Sequence, residues 1–296
     1  MFKIGKLFHL AHVVSDLDTV DKWYDEIFSG RRFYRGYVKA AMREASLVIL
    51  GDCVMEPIQL ARVPGAEQSA IGKFYTRFGQ HFHSIAWYVD SIEDTVKTLS
   101  QHNLRLYDLV GKTVQLPTRT EAVWTHPKET QALLEFAVGG EFSVNDVRLR
   151  PEWSSAFWRD QHPLGIERTS HITVLVRDLR VGLATYQTAL GGTLLHEEES
   201  AGQQRSAFVA VGEDTVVELV QSLSTSSPEG VELAQNGEGV YALTFKTTNV
   251  QRAADFLQSE KQRVEWHGTE SFALNKEDAF GMVMGFTQRR IPQDPR

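Results

Sequence analysis

The sequence predicts an α+β protein made of four copies of one strand–helix–three-strand unit, paired into two domains. Three observations predict it: a short segment that recurs four times, a helical pattern after each copy, and three strand-like runs after each helix. The segment "HLAHVVSDLDTVDKWYDEIF" starts at His9, and "HITVLVRDLRVGLATYQTALGG" starts at His171. Each opens on His, runs through alternating apolar residues and reaches Asp seven residues on, at Asp16 and Asp178. "HFHSIAWYVDSIED" fits the same frame from His83 to Asp90, and "ALTFKTTNVQRAADFLQSEK" fits it from Ala242 to Asn249. Asp or Asn at a strand-to-helix junction accepts from the unpaired N–H groups of the first helical turn, so these four are expected to be caps.

The strand runs follow each helix in turn. They are "RFYRGYVKA", "ASLVILG" and "CVMEPIQLAR" after the first, and "LRLYDLV", "EAVWTHP" and "ALLEFAVG" after the second. After the third come "GTLLHEEE", "RSAFVAVG" and "TVVELVQSL". The units fall near 5–65, 80–140, 168–224 and 238–290. Two domains are therefore expected, 1–147 and 167–296, joined by a connector at 148–166. The connector is rich in Pro and charge, and its Trp153 and Trp158 point to packing. Pro57, inside a strand run, suggests a sheet edge or a bulge.

Composition narrows the function. The chain has 296 residues and a net charge of −7, from 31 Lys and Arg against 38 Asp and Glu, which speaks against a nucleic-acid partner. The single Cys53 allows no internal disulfide, and no apolar run is long enough to span a membrane. A cytoplasmic protein with a small-molecule substrate is expected, monomeric or homodimeric, with all four units already on one chain.

Setting the units against one another singles out residues. Glu56 falls opposite Glu218, and Glu135 opposite Gly285. The first domain thus carries His9, Glu56, His83 and Glu135 at equivalent places. The second carries His171 and Glu218, then Ala242 and Gly285. Two imidazoles and two carboxylates on strands form a donor set for a first-row divalent ion such as Zn, Ni, Co, Mn or Fe(II). The second domain, short of half that set, reads as its degenerate partner. By strand alternation His12 and His81 fall on the other face, His12 being placed to orient a ligand or touch substrate. His126 is expected to shape a turn.

These residues carry a resemblance. The fourfold pattern looks like that of the vicinal oxygen chelate superfamily, which includes glyoxalase I, methylmalonyl-CoA epimerase and the extradiol dioxygenases. "VWTHPKETQALLEF" and "HSIAWYVDSIED" resemble segments of its epimerase-type members. The resemblance implies modules paired into two open barrels, with His9, Glu56, His83 and Glu135 holding a metal in the first. Aligned from the helix side, it puts Ser84 in place of His83, and it admits Gln59 in place of Glu56. The implied function is a metal-dependent isomerase, epimerase or lyase that moves a proton beside a metal-bound carbonyl or hydroxyl, with Glu135 or Glu56 as base. The alternatives are an Fe(II) extradiol-type dioxygenase and a non-enzymatic small-molecule-binding protein of the resistance type.

Overall fold

A computed structural model describes residues 2–200 and 202–296. The first module is β1 (Ile4–Val14), α1 (Leu17–Phe28), β2 (Arg31–Val38), β3 (Arg43–Leu50) and β4 (Cys53–Leu60). An added helix, α2 (Ala70–Phe78), leads to the second: β5 (His81–Val89), α3 (Ile92–Gln101), β6 (Leu106–Tyr107), β7 (Ala122–Thr125), α4 (Pro127–Thr130) and β8 (Leu133–Ala137). Helices α5 (Gly140–Asn145) and α6 (Ala156–Asp160) follow. The third module is β9 (Ile166–Leu175), α7 (Leu179–Thr188), β10 (Thr193–Ser200), β11 (Gln204–Val211) and β12 (Thr215–Ser222). After α8 (Pro228–Gln235), the fourth is β13 (Gly239–Thr247), α9 (Val250–Ser259), β14 (Val264–Trp266), β15 (Ser271–Leu274) and β16 (Val283–Thr287).

Each pair of modules makes one open, mixed eight-stranded sheet. The orders are β2-β3-β4-β1-β5-β8-β7-β6 and β10-β11-β12-β9-β13-β16-β15-β14, the same order twice. The amphipathic helices explain one face. Along α1, Leu17, Val20, Tyr24, Ile27 and Phe28 recur at helical spacing and are all buried. They pack with Leu10, Met55, Ile85 and Trp87 from the outer side of the first sheet. The inner side carries the alternate residues, including His9, Ala11 and Val13. Part of it is apolar, and α2 covers that part: Ile71 packs on Ala11, Val13, Ala45 and Ile58.

The caps form as expected at Asp16, Asp178 and Asn249, whose side chains accept from Thr19, Arg180 and Arg252 N–H groups. The second unit differs. Ser91, not Asp90, caps α3, and Asp90 instead accepts from Lys3 N. The seven-residue frame therefore runs from Ser84 to Ser91. The ladder agrees: Ala11 faces Ser84, while its third-module counterpart Thr173 faces Ala242. Ser84 is thus the residue equivalent to Ala242. His83 sits beside it without a partner across the ladder, in a β-bulge where Ala11–Ser84 pairing steps to His12–Phe82. Pro57 is not on an edge. It lies in the inner strand β4, opposite His12 of β1, where pairing to β3 lapses.

The two sheets meet through a reciprocal clamp. At the β3–β4 turn, Asp52 accepts from Thr169 N of β9 at 2.6 Å. At the β11–β12 turn, Asp214 accepts from Leu7 N of β1 at 2.8 Å. Gly51 and Gly212 precede these aspartates at positive φ and press on the opposite domain. A Cβ on Gly212 would lie 2.4 Å from Gly5 O, which no ordinary residue tolerates. An Asp-x-Arg pair seals each end. Arg148, paired with Asp146, donates to the carbonyls of Leu7, Phe8 and Asp52; Arg296, paired with Asp294, donates to those of Ser170 and Asp214. In the connector, Trp158 is buried and donates to Phe28 O at 2.7 Å. Among the described residues no helix is long and apolar enough to cross a membrane.

Candidate active site

The inner face of the first sheet brings three of the singled-out residues together. His9 on β1 faces Ala86 of β5, Glu56 on β4 faces Ala11, and Glu135 on β8 faces the same Ala86. The small residues between them let the longer side chains converge. His9 Nε2 lies 3.1 Å from Glu56 Oε2 and 3.4 Å from Glu135 Oε2. All three are buried, at 3%, 6% and 6% exposure.

Two residues that sequence patterning did not single out complete the cluster. Arg43 of β3 reaches Glu56 Oε1 with Nη2 at 3.1 Å, and Trp124 of β7 donates Nε1–H to Glu135 Oε2 at 3.0 Å. Arg43 and Trp124 also line a cavity of about 570 Å³, with Ile71 and His83 among its other walls. A charged residue on a strand's inward face, two residues from the buried Ala45, is the signal that marks Arg43. Trp124 carries no comparable signal, because only its cross-strand register with Glu135 reveals its role.

Electrostatics follow from this packing. Burial pushes the His9 imidazolium down, but the Glu56 and Glu135 carboxylates outweigh it and hold His9 above its ordinary value. Burial pushes Glu135 up, yet His9, Arg43 and Trp124 together hold it below the usual range. The second domain makes the contrast. His171 has Glu218 at 3.5 Å but Gly285 where Glu135 would be, and burial there prevails, so His171 is lowered. Glu218 takes a hydrogen bond from Thr173 at 2.7 Å. His171, Glu218 and Gly285 line their own cavity, of about 440 Å³.

Among the described residues, the other candidates make no hydrogen bond or ion pair with His9, Glu56 or Glu135. His83 gives or takes a bond between Nδ1 and Ser84 Oγ at 3.1 Å and stacks edge-on against Phe74. Burial, then Arg43, push it down to about 3. Gln59 accepts from Leu17 N at 2.7 Å, as Gln221 does from Leu179 and Gln288 from Val250. These glutamines hold helix starts. His12 is fully buried on the helix side against Tyr24 Oη at 2.8 Å, and burial pushes it down to about 3. His126 caps the short α4 by accepting from Lys128 N. His81 bonds Glu232 of α8 at 2.7 Å, so it anchors the two domains. Burial raises that Glu232 carboxyl, but His81, Lys276 and Asn236 outweigh it and bring it to about 2.

Comparisons place this architecture. Residues 168–282 match the sequence profile of the Glyoxalase/Bleomycin resistance protein/Dioxygenase superfamily. A search of curated proteins finds no match. Among solved structures, a triple mutant of 4-hydroxymandelate synthase from Streptomyces coelicolor shares the fold. The match covers 98% of this chain and 94% of that one, at a TM-score of 0.66 and 11% identity. Methylmalonyl-CoA epimerase from Mycobacterium tuberculosis is 25% identical over 41% of this chain and 87% of its own, at a TM-score of 0.39. Residues 168–282 thus carry the profile of this superfamily, also called vicinal oxygen chelate proteins, and the chain as a whole shares the two-domain fold of the synthase.

Proposed function

We propose that the first domain is a metal-dependent enzyme of the isomerase, epimerase or lyase type, moving a proton beside a carbonyl or hydroxyl of a small molecule. One observation carries this reading. Of nine buried side-chain nitrogen and oxygen atoms without a well-aligned hydrogen bond among the described residues, four belong to the cluster: His9 Nδ1 and Nε2, Glu56 Oε2 and Arg43 Nε, with His9 Nε2 meeting the two carboxylates only as charge contacts. Buried polar atoms are almost always paired, so such a concentration marks a place built for something other than stability.

The donors suit a divalent ion in type and spacing. Bonds of about 2.0–2.2 Å to a shared ion place neighbouring donors roughly 3.0–3.5 Å apart, the range of the two His9 distances. Among the described residues no group of three or more His, Cys, Asp and Glu is placed, as it stands, to hold a metal ion. Glu56 Oε1 is held by Arg43 and Glu135 Oε2 by Trp124, so the carboxylates have to turn to form one. His9, Glu56 and Glu135 would hold the ion, with His83 offering Nε2 from the bulge while Ser84 holds Nδ1. When bound, such an ion would polarise a substrate carbonyl or hydroxyl oxygen.

The two carboxylates divide the remaining work. Glu135, fixed by Trp124 and held below its usual range, stays ionised and supplies charge. Glu56 Oε2 meets only His9 Nε2, at 3.1 Å and without a well-aligned hydrogen bond, which makes it the group that takes up and returns the proton. Burial of the cluster slows exchange of that proton with bulk water.

The test begins with metal content of protein purified without chelators, wild type against His9→Ala. Deuterium uptake at the α-carbon is then followed for a panel of carbonyl compounds and acyl thioesters. A stoichiometric Zn, Ni, Co, Mn or Fe content that His9→Ala abolishes, with exchange lost in Glu56→Gln, supports the reading. Oxygen consumption with Fe(II) and a catechol or keto acid sinks it in favour of a dioxygenase. Tight binding of an aromatic ligand with no metal favours a binding protein.

A further inference from the structure

Arg43 supplies the guanidinium of this site, paired with Glu56 at 3.1 Å. It lies on the inner face of β3, opposite Leu60, with its side chain 13% exposed. One edge of the guanidinium holds Glu56, and its Nε is buried without a partner. The same side chain forms part of the cavity wall. It therefore bridges the acidic cluster and the space where a substrate would lie.

The second domain shows what accompanies it. By register, Leu60 corresponds to Ser222, four residues past Glu218 as Leu60 is past Glu56. Ser222 faces Gln204, so Gln204 is the counterpart of Arg43. Where Glu135 becomes Gly285, the guanidinium becomes an amide. The remaining Glu218 is then satisfied by a neutral donor, Thr173. The positive charge thus goes with the second carboxylate.

We propose that Arg43 is an exchangeable counter-cation that couples metal entry to binding of an anionic substrate. This rests on the divalent-ion reading of the site. Without the ion, Arg43 occupies Glu56 and competes for it. With the ion bound, two carboxylates and a doubly charged ion cancel, and Arg43 leaves the site with one net positive charge. Released from Glu56 and already in the cavity wall, the guanidinium receives a carboxylate or oxyanion of the substrate. The substrate class is accordingly a small compound ionised near its reacting carbon. Arg43 lowers affinity for the ion and raises affinity for the anion. By linkage, the anion tightens the ion by the same factor as the ion tightens the anion.

The opposite signs make the test. Mn²⁺ is titrated calorimetrically into wild type, His9→Ala and Arg43→Met, the last keeping an unbranched apolar stem. Benzoate, a single carboxylate that does not chelate the ion, is then titrated into the Mn²⁺-loaded proteins. We expect Arg43→Met to bind Mn²⁺ about tenfold more tightly, as loss of a charge-assisted hydrogen bond to the competing group implies. Benzoate binding should weaken by about tenfold in the same variant. If Arg43→Met does not fold, Arg43→Gln replaces it, since the second domain carries an amide there. Mn²⁺ affinity that is unchanged or weaker, or benzoate affinity that is unchanged, overturns the coupling while leaving the metal reading intact. Failure of Mn²⁺ to bind wild type through His9 overturns both.

Discussion

Arg148 offers the sharpest test of how the first domain braces the turn and strand that meet the second. It is 2% exposed and its partner Asp146 is fully buried. Its guanidinium bonds Asp146 twice, at 3.0 and 2.6 Å, and three main-chain carbonyls at 2.9–3.0 Å. Arg148→Met keeps the stem but strands a buried carboxylate, which costs about 3–5 kcal/mol. Asp146 retains only the Tyr88 hydroxyl and the residue 148 N–H. Arg296 plays the same part at the other end but is 19% exposed, so water can replace some of its bonds. Arg296→Met should therefore cost less, about 1–3 kcal/mol. Adding Asp146→Asn to Arg148→Met removes the stranded charge and should restore at least about 1.5 kcal/mol of the loss. Urea unfolding at pH 7, followed by tryptophan fluorescence and compared at equal slope, measures all four proteins. A cost under about 1.5 kcal/mol for Arg148→Met, or no recovery from Asp146→Asn, would refute the reasoning.

Three further outcomes follow from the same structure. His12 titrates near 3 when folded and near 6.5 when unfolded, so its stabilising effect is complete above pH 6.5 and is lost as pH falls towards 3; at pH 5 the loss is about 2 kcal/mol, and His12→Leu should flatten that part of the stability–pH curve. Ile71→Ala removes the centre of the α2 contact and should cost about 2–4 kcal/mol in urea unfolding, with faster proteolysis near α2; a loss under about 1 kcal/mol would mean that α2 does not seal the sheet. Ser91→Ala should cost about 0.5–2 kcal/mol through loss of the α3 cap, more than Asp90→Ala at its exposed bond to Lys3; the reverse order would restore Asp90 to the cap.

The fold was largely legible because its signals are local. Period-two strands, period-3.6 helices and a cap at fixed spacing can be recognised within about twenty residues. The convergence of His9, Glu56 and Glu135 was legible for a related reason, since equivalent strand positions share a face. What escaped depends on pairing. A bulge adds one residue to a strand without changing its character, so "HFHSI" reads equally well with His83 or Ser84 on the ladder. Arg43 and Trp124 acquire their roles only from partners across the sheet. The Asp-x-Arg seals are two short polar triplets in the connector and near the C-terminus. Their likeness shows only once Asp52 and Asp214 are seen to face opposite domains.

That reciprocal clamp has a consequence for how the chain divides its labour. Gly51–Asp52 meets the first strand of the second domain as Gly212 and Asp214 meet the first strand of the first, so the interface is self-complementary. It has the form of a symmetric dimer's contact, with both copies on one polypeptide. In a true homodimer any change to one interior appears in both. Here the two inner faces vary separately, because the aspartates of the clamp sit on turns outside both. The second half carries Gly285 and Gln204 and still clamps the first half, so each half serves as scaffold for the other.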